Sequence, residues 1–372
     1  MEQVSFGQRS GYAIPRTNIG AMRLPKAPGE AVALLRHAID SGMRYIDTCR
    51  GYGDSELKVG AALKDGYREK VILSTKYAPW AGEKESEDSW TAEYALGKIA
   101  EQLERLEVDH LDFYQLWGMN DSEKYERAAA PGGFVEGMLR AKERGLVGHL
   151  GITTHCAVEP LLGILDDVDW CEVLLVSYNL LDRRPAPVLA KAREKGIGTL
   201  VMNPVGGGKL TGASPVFEPL LRETGCSDMS DLAIRYVLSN ANVDTILSGI
   251  TRASDVDAVL ASASKPQFSP EQLAAIEGLI DEIDSRKSAD FCTACGYCKP
   301  CPNGVDIPAV MNAIYFERML GLHGAAAGVA GRLRRKECWA DRCEDCGECL
   351  PKCPQKLGIP DELRYAQEQL SE

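Results

Sequence analysis

The chain has no hydrophobic run long enough to span a bilayer. Its first residues, MEQVSFGQRSGYAIP, hold no apolar core of the kind a secretory signal needs. Positive charge is in deficit. The 42 Lys and Arg face 54 Asp and Glu, a net charge of −12 that argues against nucleic acid or an anionic membrane as the main partner. No G-x-G-x-x-G follows the first candidate strand, which argues against a doubly wound dinucleotide fold. No flavin motif is recognisable. The expectation is a cytoplasmic protein with neither membrane nor nucleic-acid partners. Its 372 residues leave room for one large domain and one small one.

What the chain does have is cysteine, gathered at one end. Nine of its 13 cysteines lie from Cys292 onward. The first run is Cys292-x2-Cys295-x2-Cys298-x2-Cys301-Pro302, and the second is Cys343-x2-Cys346-x2-Cys349-x3-Cys353-Pro354. Thiolates three residues apart on a tight turn can face one iron–sulfur cubane. The fourth cysteine of such a run, followed by proline, usually ligates the other cluster of a pair. The spacing therefore predicts two 4Fe-4S clusters, one on Cys292, Cys295, Cys298 and Cys353, the other on Cys343, Cys346, Cys349 and Cys301. A single cluster and zinc are the competing readings, since zinc also accepts four thiolates. A disulfide framework suits short secreted chains and does not fit here. Cys301 is the weakest assignment, because its run has x2 where x3 is usual. Cys338 is left over. Oxygen-exposed clusters would suit an anaerobe.

Upstream, short apolar runs alternate with amphipathic stretches. Strand candidates are Ile19–Leu24, Arg44–Asp47, Val71–Lys76, Leu111–Trp117, Gly148–Thr153, Glu172–Val176, Gly198–Asn203 and Val243–Ser248. Helix candidates between them include Gly29–Asp40, Ser55–Lys64, Ala92–Leu106, Phe134–Arg144, Pro187–Lys195 and Ser230–Ser239. Eight such units in succession predict an α/β fold, a (β/α)8 TIM barrel over residues 1–287. Val4–Arg16 reads as a hairpin plugging the barrel bottom. A polar helix, Ser269–Lys287, leads out to residues 288–372, where a helix over Ile307–Leu322 separates the cysteine runs. That pattern predicts a small α-helical ferredoxin-like domain carrying both clusters. The basic stretch Arg332–Lys336 reads as a solvated helix end, or as a docking patch for a ferredoxin or another redox partner.

Barrel chemistry sits at the C-terminal ends of the strands. There Asp47 ends the second candidate strand, Tyr52 follows it, and Lys76 ends the third. An ammonium beside a phenol lowers its pKa, a carboxylate keeps the ammonium charged, and the phenol can give a proton to a carbonyl oxygen.

These residues resemble a known family. Gly42-x-Arg44-Tyr45-Ile46-Asp47-Thr48-x-x-x-Tyr52-Gly53-x-Ser55-Glu56 is similar to the signature of the aldo-keto reductases. Val71–Lys76, Gly148-x-x-Gly151-Ile-Thr, Tyr178-Asn179-Leu-Leu-Asp182 and Met202-Asn203-Pro204-Val-Gly-Gly-Gly-Lys209-Leu fall in the same order. The resemblance covers nearly all of residues 1–285, and one branch of the family carries a C-terminal 4Fe-4S module. It implies that Asp47, Tyr52 and Lys76 are three members of a catalytic tetrad, and that NADPH or NADH binds across the barrel mouth.

The departures matter too. Trp117 stands at the usual His position, and an indole cannot shuttle a proton near neutral pH. His110 opens that strand and faces the bottom. His155 lies on the correct face as a solvated or capping residue, a substitute acid or a substrate contact. Gly206, Gly207 and Gly208 offer backbone amides to a pyrophosphate, beside Lys209 and near Asn203. Gly249, Thr251 and Arg252 offer a site for a 2′-phosphate. Thr153 and Thr154 replace a Ser-Asn pair that holds the nicotinamide amide. Leu175 and Val259 replace the Gln and Asn that hold nicotinamide and adenine. Cys49 reads as a packing thiol or a redox-active group.

The expected function is an iron–sulfur aldo-keto reductase-like oxidoreductase that reduces a small carbonyl compound, with Tyr52 as proton donor and NAD(P)H as hydride source. The alternative is a nicotinamide-independent reductase or electron-transfer subunit whose clusters deliver single electrons. Trp80, Trp90 and Trp117, with the loops Ala78–Ser89 and Met119–Pro131, suggest an aromatic-lined substrate pocket.

Overall fold

The computed structural model describes residues 3–81, 86–119, 121–155 and 157–370. The segment at 82–85 and Asn120, both in the loops considered above, lie outside them, as does Cys156. By compactness the chain groups into two units. One comprises Met1–Pro204 with Ile234–Gln267, the other Val205–Ala233 with Phe268–Glu372.

The first unit opens with an antiparallel hairpin, β1 (Gln3–Ser5) and β2 (Ala13–Pro15). Eight further strands close a parallel barrel. They are β3 (Thr17–Gly20), β4 (Tyr45–Asp47), β5 (Ile72–Tyr77), β6 (Leu111–Trp117), β7 (Val147–Thr154), β8 (Val173–Ser177), β9 (Gly198–Met202) and β10 (Thr245–Gly249). They pair in chain order, with β10 closing on β3. The expected (β/α)8 barrel is therefore the fold observed.

Both faces of the strands are covered, so most of their residues are buried, polar ones included. Outside, Leu73, Tyr114, Leu116, Leu150, Ile152 and Leu174 pack with helix residues such as Leu96, Ile99 and Leu103. Those helix positions recur at three- and four-residue spacing, so Ala92–Leu106 presents one apolar face to the sheet. Inside, at the barrel bottom, Phe6 of the hairpin meets Tyr45 and Phe113 at ring-centroid distances of 5.7 and 5.4 Å. Ile14, Ile72, Val173, Leu175, Leu200 and Leu247 complete that layer. Burying each such side chain contributes about 1.5–3 kcal/mol. The apolar layer fills the bottom of the barrel and leaves the polar chemistry to the other end. Asp47, Lys76, Trp117 and Thr154 all lie at or within one residue of the C-terminal ends of their strands.

The second unit is helical. Its elements are Glu218–Thr224, Pro270–Asp290, Ile307–Ile314, His323–Arg335 and Ile359–Gln369, with a wider π turn at Tyr315–Met319. The single helix expected over Ile307–Leu322 is thus an α-helix ending in that π turn, after which Gly321 takes φ 59°. Arg332–Arg335 form the end of helix His323–Arg335, where cations complement the helix dipole. Arg334 lies over the Trp339 ring at 4.9 Å. Among the described residues, no helix is long and apolar enough to cross a membrane.

Candidate active site

At the barrel's C-terminal end, Asp47, Lys76 and Tyr52 converge. Asp47 is 3% exposed and Lys76 is fully buried. The Lys76 ammonium donates to Asp47 Oδ2 and, at 2.8 Å, to the Thr48 carbonyl. It stands 5.0 Å from the centre of the Tyr52 ring. Burial works against the ammonium, but the charges of Asp47, Tyr52 and Cys49 outweigh it and raise the Lys76 pKa. Lys76 is therefore a fixed cation. For Tyr52, burial is the largest influence and raises the phenol pKa, while Lys76 works to lower it. The net direction is upward, against the expectation of a lowered value. Half-buried in a barrel mouth, a phenol loses more from desolvation than one ammonium restores.

Trp117 meets Tyr52 edge-on, with ring centroids 6.1 Å apart and planes at 87°. Gly51 makes room for it, since a Cβ there would lie 2.5 Å from Trp117 Cη2. Trp117 thus buttresses the phenol where the resemblance implied a proton carrier. His110 bonds to the Gly145 carbonyl at 2.8 Å, at the start of β6 and away from the site. His155 lies just after β7, and partial burial of its ring holds the imidazole below its ordinary value. Cys49 is buried, and burial pushes its thiol up to about 12, so it stays protonated as packing material.

One group escaped the sequence reading, and another was quoted there within a motif but given no role. Gln115 of β6 is fully buried, with its Nε2 3.1 Å from Asp47 Oδ1 and 2.8 Å from Ser74 Oγ. Glu56, also fully buried, accepts from Thr75 Oγ1 at 2.8 Å, Gln102 Nε2 at 2.7 Å and Arg105 Nε at 2.9 Å. Gln102 also reaches the Lys76 carbonyl at 3.3 Å, which ties the strand end to helix Ala92–Leu106. In the flanking loops, the Trp80 and Trp90 rings lie 5.7 Å apart, and Arg127 sits 4.2 Å above Trp90.

Most of the expected cofactor donors in the barrel already have partners. Thr153 Oγ1 bonds to Gln115 Oε1 at 2.6 Å, and Thr154 Oγ1 donates to the Met119 carbonyl. Asn203, with φ 59°, reaches Ser177 Oγ at 3.3 Å. Beyond Gly249, the Asp255 carboxylate receives Thr251 N at 2.9 Å, Thr251 Oγ1 at 2.6 Å, Arg252 N at 3.2 Å and Arg252 Nε at 2.9 Å. Leu175 lies in the apolar layer of the barrel interior. In the helical unit, Gly206, Gly207 and Gly208 all have positive φ (60°, 70° and 97°), and Lys209 lies 4.9 Å above the Phe316 ring. Burial lowers the Lys209 pKa.

The helical unit also gathers the cysteine runs around two hollows. Cys292, Cys295, Cys298 and Cys353 line one. Cys301, Cys343, Cys346 and Cys349 line the other, together with Cys298. The backbone repeats itself. Ala294 and Gly296 take positive φ in the first run, as Asp345 and Gly347 do in the second; Gly304 and Lys356 do so three residues after Cys301 and Cys353. Helices then start at Ile307-Pro308 and Ile359-Pro360. Among the described residues, no group of three or more His, Cys, Asp or Glu is arranged to hold a metal ion.

Comparison with known proteins agrees with this architecture. A profile described as the aldo/keto reductase family matches residues 18–281. An uncharacterized oxidoreductase of Bacillus subtilis is 23% identical over 300 residues, covering 72% of this chain and 93% of the relative. The L-glyceraldehyde 3-phosphate reductase of Escherichia coli O157:H7 is 23% identical over 327 residues, covering 74% and 91%. A solved aldo-keto reductase of Bacillus halodurans superposes with a TM-score of 0.64 at 23% identity, covering 75% of this chain and 96% of that one. The family profile and the buried Asp47–Lys76 pair beside Tyr52 lead to one conclusion: this chain is an oxidoreductase belonging to the aldo/keto reductase family.

Proposed function

We propose that this enzyme reduces a small carbonyl compound, with Tyr52 as the proton donor and a nicotinamide cofactor as the hydride source. The observation that carries the reading is the buried cation of Lys76, held by Asp47 against the Tyr52 ring. When bound, the reduced nicotinamide supplies a hydride to the carbonyl carbon. The carbonyl π electrons pass to oxygen, and the Tyr52 hydroxyl gives that oxygen its proton. Lys76 stabilises the phenolate left behind, and Asp47 keeps Lys76 charged and aimed. Trp117 fixes the ring but moves no proton. The aromatic pair Trp80 and Trp90 suits an apolar substrate group. Tyr52→Phe should lower kcat/KM for aldehyde reduction by about 10²–10⁴-fold with the fold unchanged by circular dichroism; an unchanged rate would overturn the assignment.

Within this reading the cofactor is NADH in preference to NADPH. The Asp255 carboxylate already takes the donors of Thr251 and Arg252, and a 2′-phosphate arriving there would meet a like charge.

The cysteine runs fit two 4Fe-4S clusters. Four cysteines line one hollow and five the other, Cys298 bordering both, and both runs repeat the same backbone turns. Cys292, Cys295, Cys298 and Cys353 would hold one cluster; Cys343, Cys346, Cys349 and Cys301 would hold the other. Residues 288–372 would then be a ferredoxin-like domain, and such clusters supply one-electron transfer. An acidic redox protein such as a ferredoxin is a fitting partner for the exposed Arg335 and Lys336.

A second reading dispenses with nicotinamide, with single electrons reaching the substrate from the clusters. It is favoured by the hydroxyl that Thr154 gives to Met119 and by the occupied Thr251 and Arg252 donors. Anaerobic titration separates the two. Saturable NADH binding supports the first; reduction of the iron by dithionite, with no binding of NADH or NADPH at millimolar concentration, supports the second.

A further inference from the structure

Gln115 sits where an apolar strand residue would have sufficed. It lies on β6 two residues before Trp117, wholly buried, among polar groups from β4, β5 and β7. Its amide has two ends that cannot be exchanged. The Asp47 carboxylate is an acceptor, so the Gln115 NH2 must face it, at 3.1 Å from Oδ1. The carbonyl end then faces Thr153 Oγ1 at 2.6 Å, and the threonine hydroxyl donates to it. Ser74 Oγ takes the second N–H at 2.8 Å. A continuous hydrogen-bonded line therefore runs from Thr153 through Gln115 and Asp47 to Lys76, whose ammonium lies against Tyr52.

We propose that Gln115 is a positioning residue of the active site, which holds Asp47 as a correctly oriented carboxylate and through it fixes the Lys76 cation beside Tyr52. The inference rests on the reading of Tyr52 as the proton donor. The physical reason lies in the cost of burying Asp47. Its two oxygens are almost wholly removed from water, and a carboxylate there needs donors on both. Lys76 serves Oδ2, Gln115 serves Oδ1, and the Ser74 hydroxyl also supports the carboxylate. Without the Gln115 donor the charge is less well solvated, so the carboxylate holds protons more strongly and supports Lys76 less well. The ionisable groups facing this point are Asp47 and Tyr45 on β4, Lys76 on β5, and Cys49 and Tyr52 in the loop after β4. Gln115 bonds to Asp47, Ser74 and Thr153, so its effect on Tyr52 passes through Asp47.

Two substitutions test this. Gln115→Met keeps the volume and removes the donor. Gln115→Glu keeps the shape and, while protonated, keeps both the donor and the acceptor; once ionised it sets a second carboxylate against Asp47. The first readout needs neither substrate nor cofactor. In protein labelled with 13C at the Asp side-chain carboxyl, with the resonance assigned by Asp47→Asn, Gln115→Met should raise the Asp47 pKa by about one unit. The second readout is reduction of 4-nitrobenzaldehyde by NADH. Gln115→Met should lose about 10–100-fold in kcat with KM little changed. Gln115→Glu should be active at acid pH and lose activity as pH rises through the neutral range, where the parent enzyme is level. An Asp47 titration unmoved in Gln115→Met overturns the inference, as does a Gln115→Glu loss that is the same at every pH. If the parent enzyme reduces no aldehyde, the reductase reading fails while the Asp47 titration still decides the role of Gln115.

Discussion

The barrel site and the cysteine runs are built in opposite ways. At the barrel mouth, side chains meet one another. Lys76 is closed on Asp47 and Thr48, Asp47 on Gln115, and Gln115 on Thr153. In the helical unit the cysteines line two hollows, and their exposure ranges from the buried Cys298 to the exposed Cys295 and Cys346. The first arrangement is a preorganised charge array whose reorganisation cost is met on folding, as suits stabilisation of charge in a transition state. The second is set by backbone turns that repeat from one cysteine run to the other. The difference teaches that the barrel site is held by its own side-chain contacts, whereas the cysteine runs are set by their backbone.

The largest effect should come from opening the closed array. Lys76→Met leaves the Asp47 carboxylate buried without its cation, and should cost about 3–5 kcal/mol in chemical denaturation. Adding Asp47→Asn to that variant should recover a large part of the loss. No loss in Lys76→Met would show that the pair is not the closed unit described. Cys346→Ala probes the other region. If each hollow takes one cluster, iron and sulfide should fall from about eight of each per chain to about four; four in the parent protein would mean that only one hollow is used. A smaller effect is expected at Asp255. Asp255→Ser should improve NADPH binding relative to NADH by about tenfold in fluorescence titration, as a like charge is removed.

The sequence was most informative where chemistry and pattern coincided. Leu111–Trp117 and Ala92–Leu106 match their elements at both ends, because a long apolar strand and a long amphipathic helix each carry a clear period. The strand expected at Ile19–Leu24 instead runs Thr17–Gly20 and turns into a 3-10 helix at Ala21–Arg23, since the buried Thr17 and Asn18 hid its start. Asp47, Tyr52 and Lys76 were legible because their strand-end positions converge by geometry. Gln115 and Asp255 were not. A lone glutamine in a strand buried on both faces leaves no trace in periodicity, and an aspartate three residues into a helix reads as an ordinary cap until its partners are known. The net rise of the Tyr52 pKa was equally hidden, because residue identity reveals the nearby lysine but not the depth of burial.

The pH dependence of aldehyde reduction tests the central claim most directly. Burial raises the Tyr52 pKa above its ordinary value near 10, so the phenol keeps its proton through neutral pH and loses it only in strong alkali. The kcat profile should therefore be level through neutral pH and fall only in alkali beyond the ordinary phenol range. A fall beginning below about 6.5, and abolished by His155→Ala, would instead make His155 the acid and contradict the account.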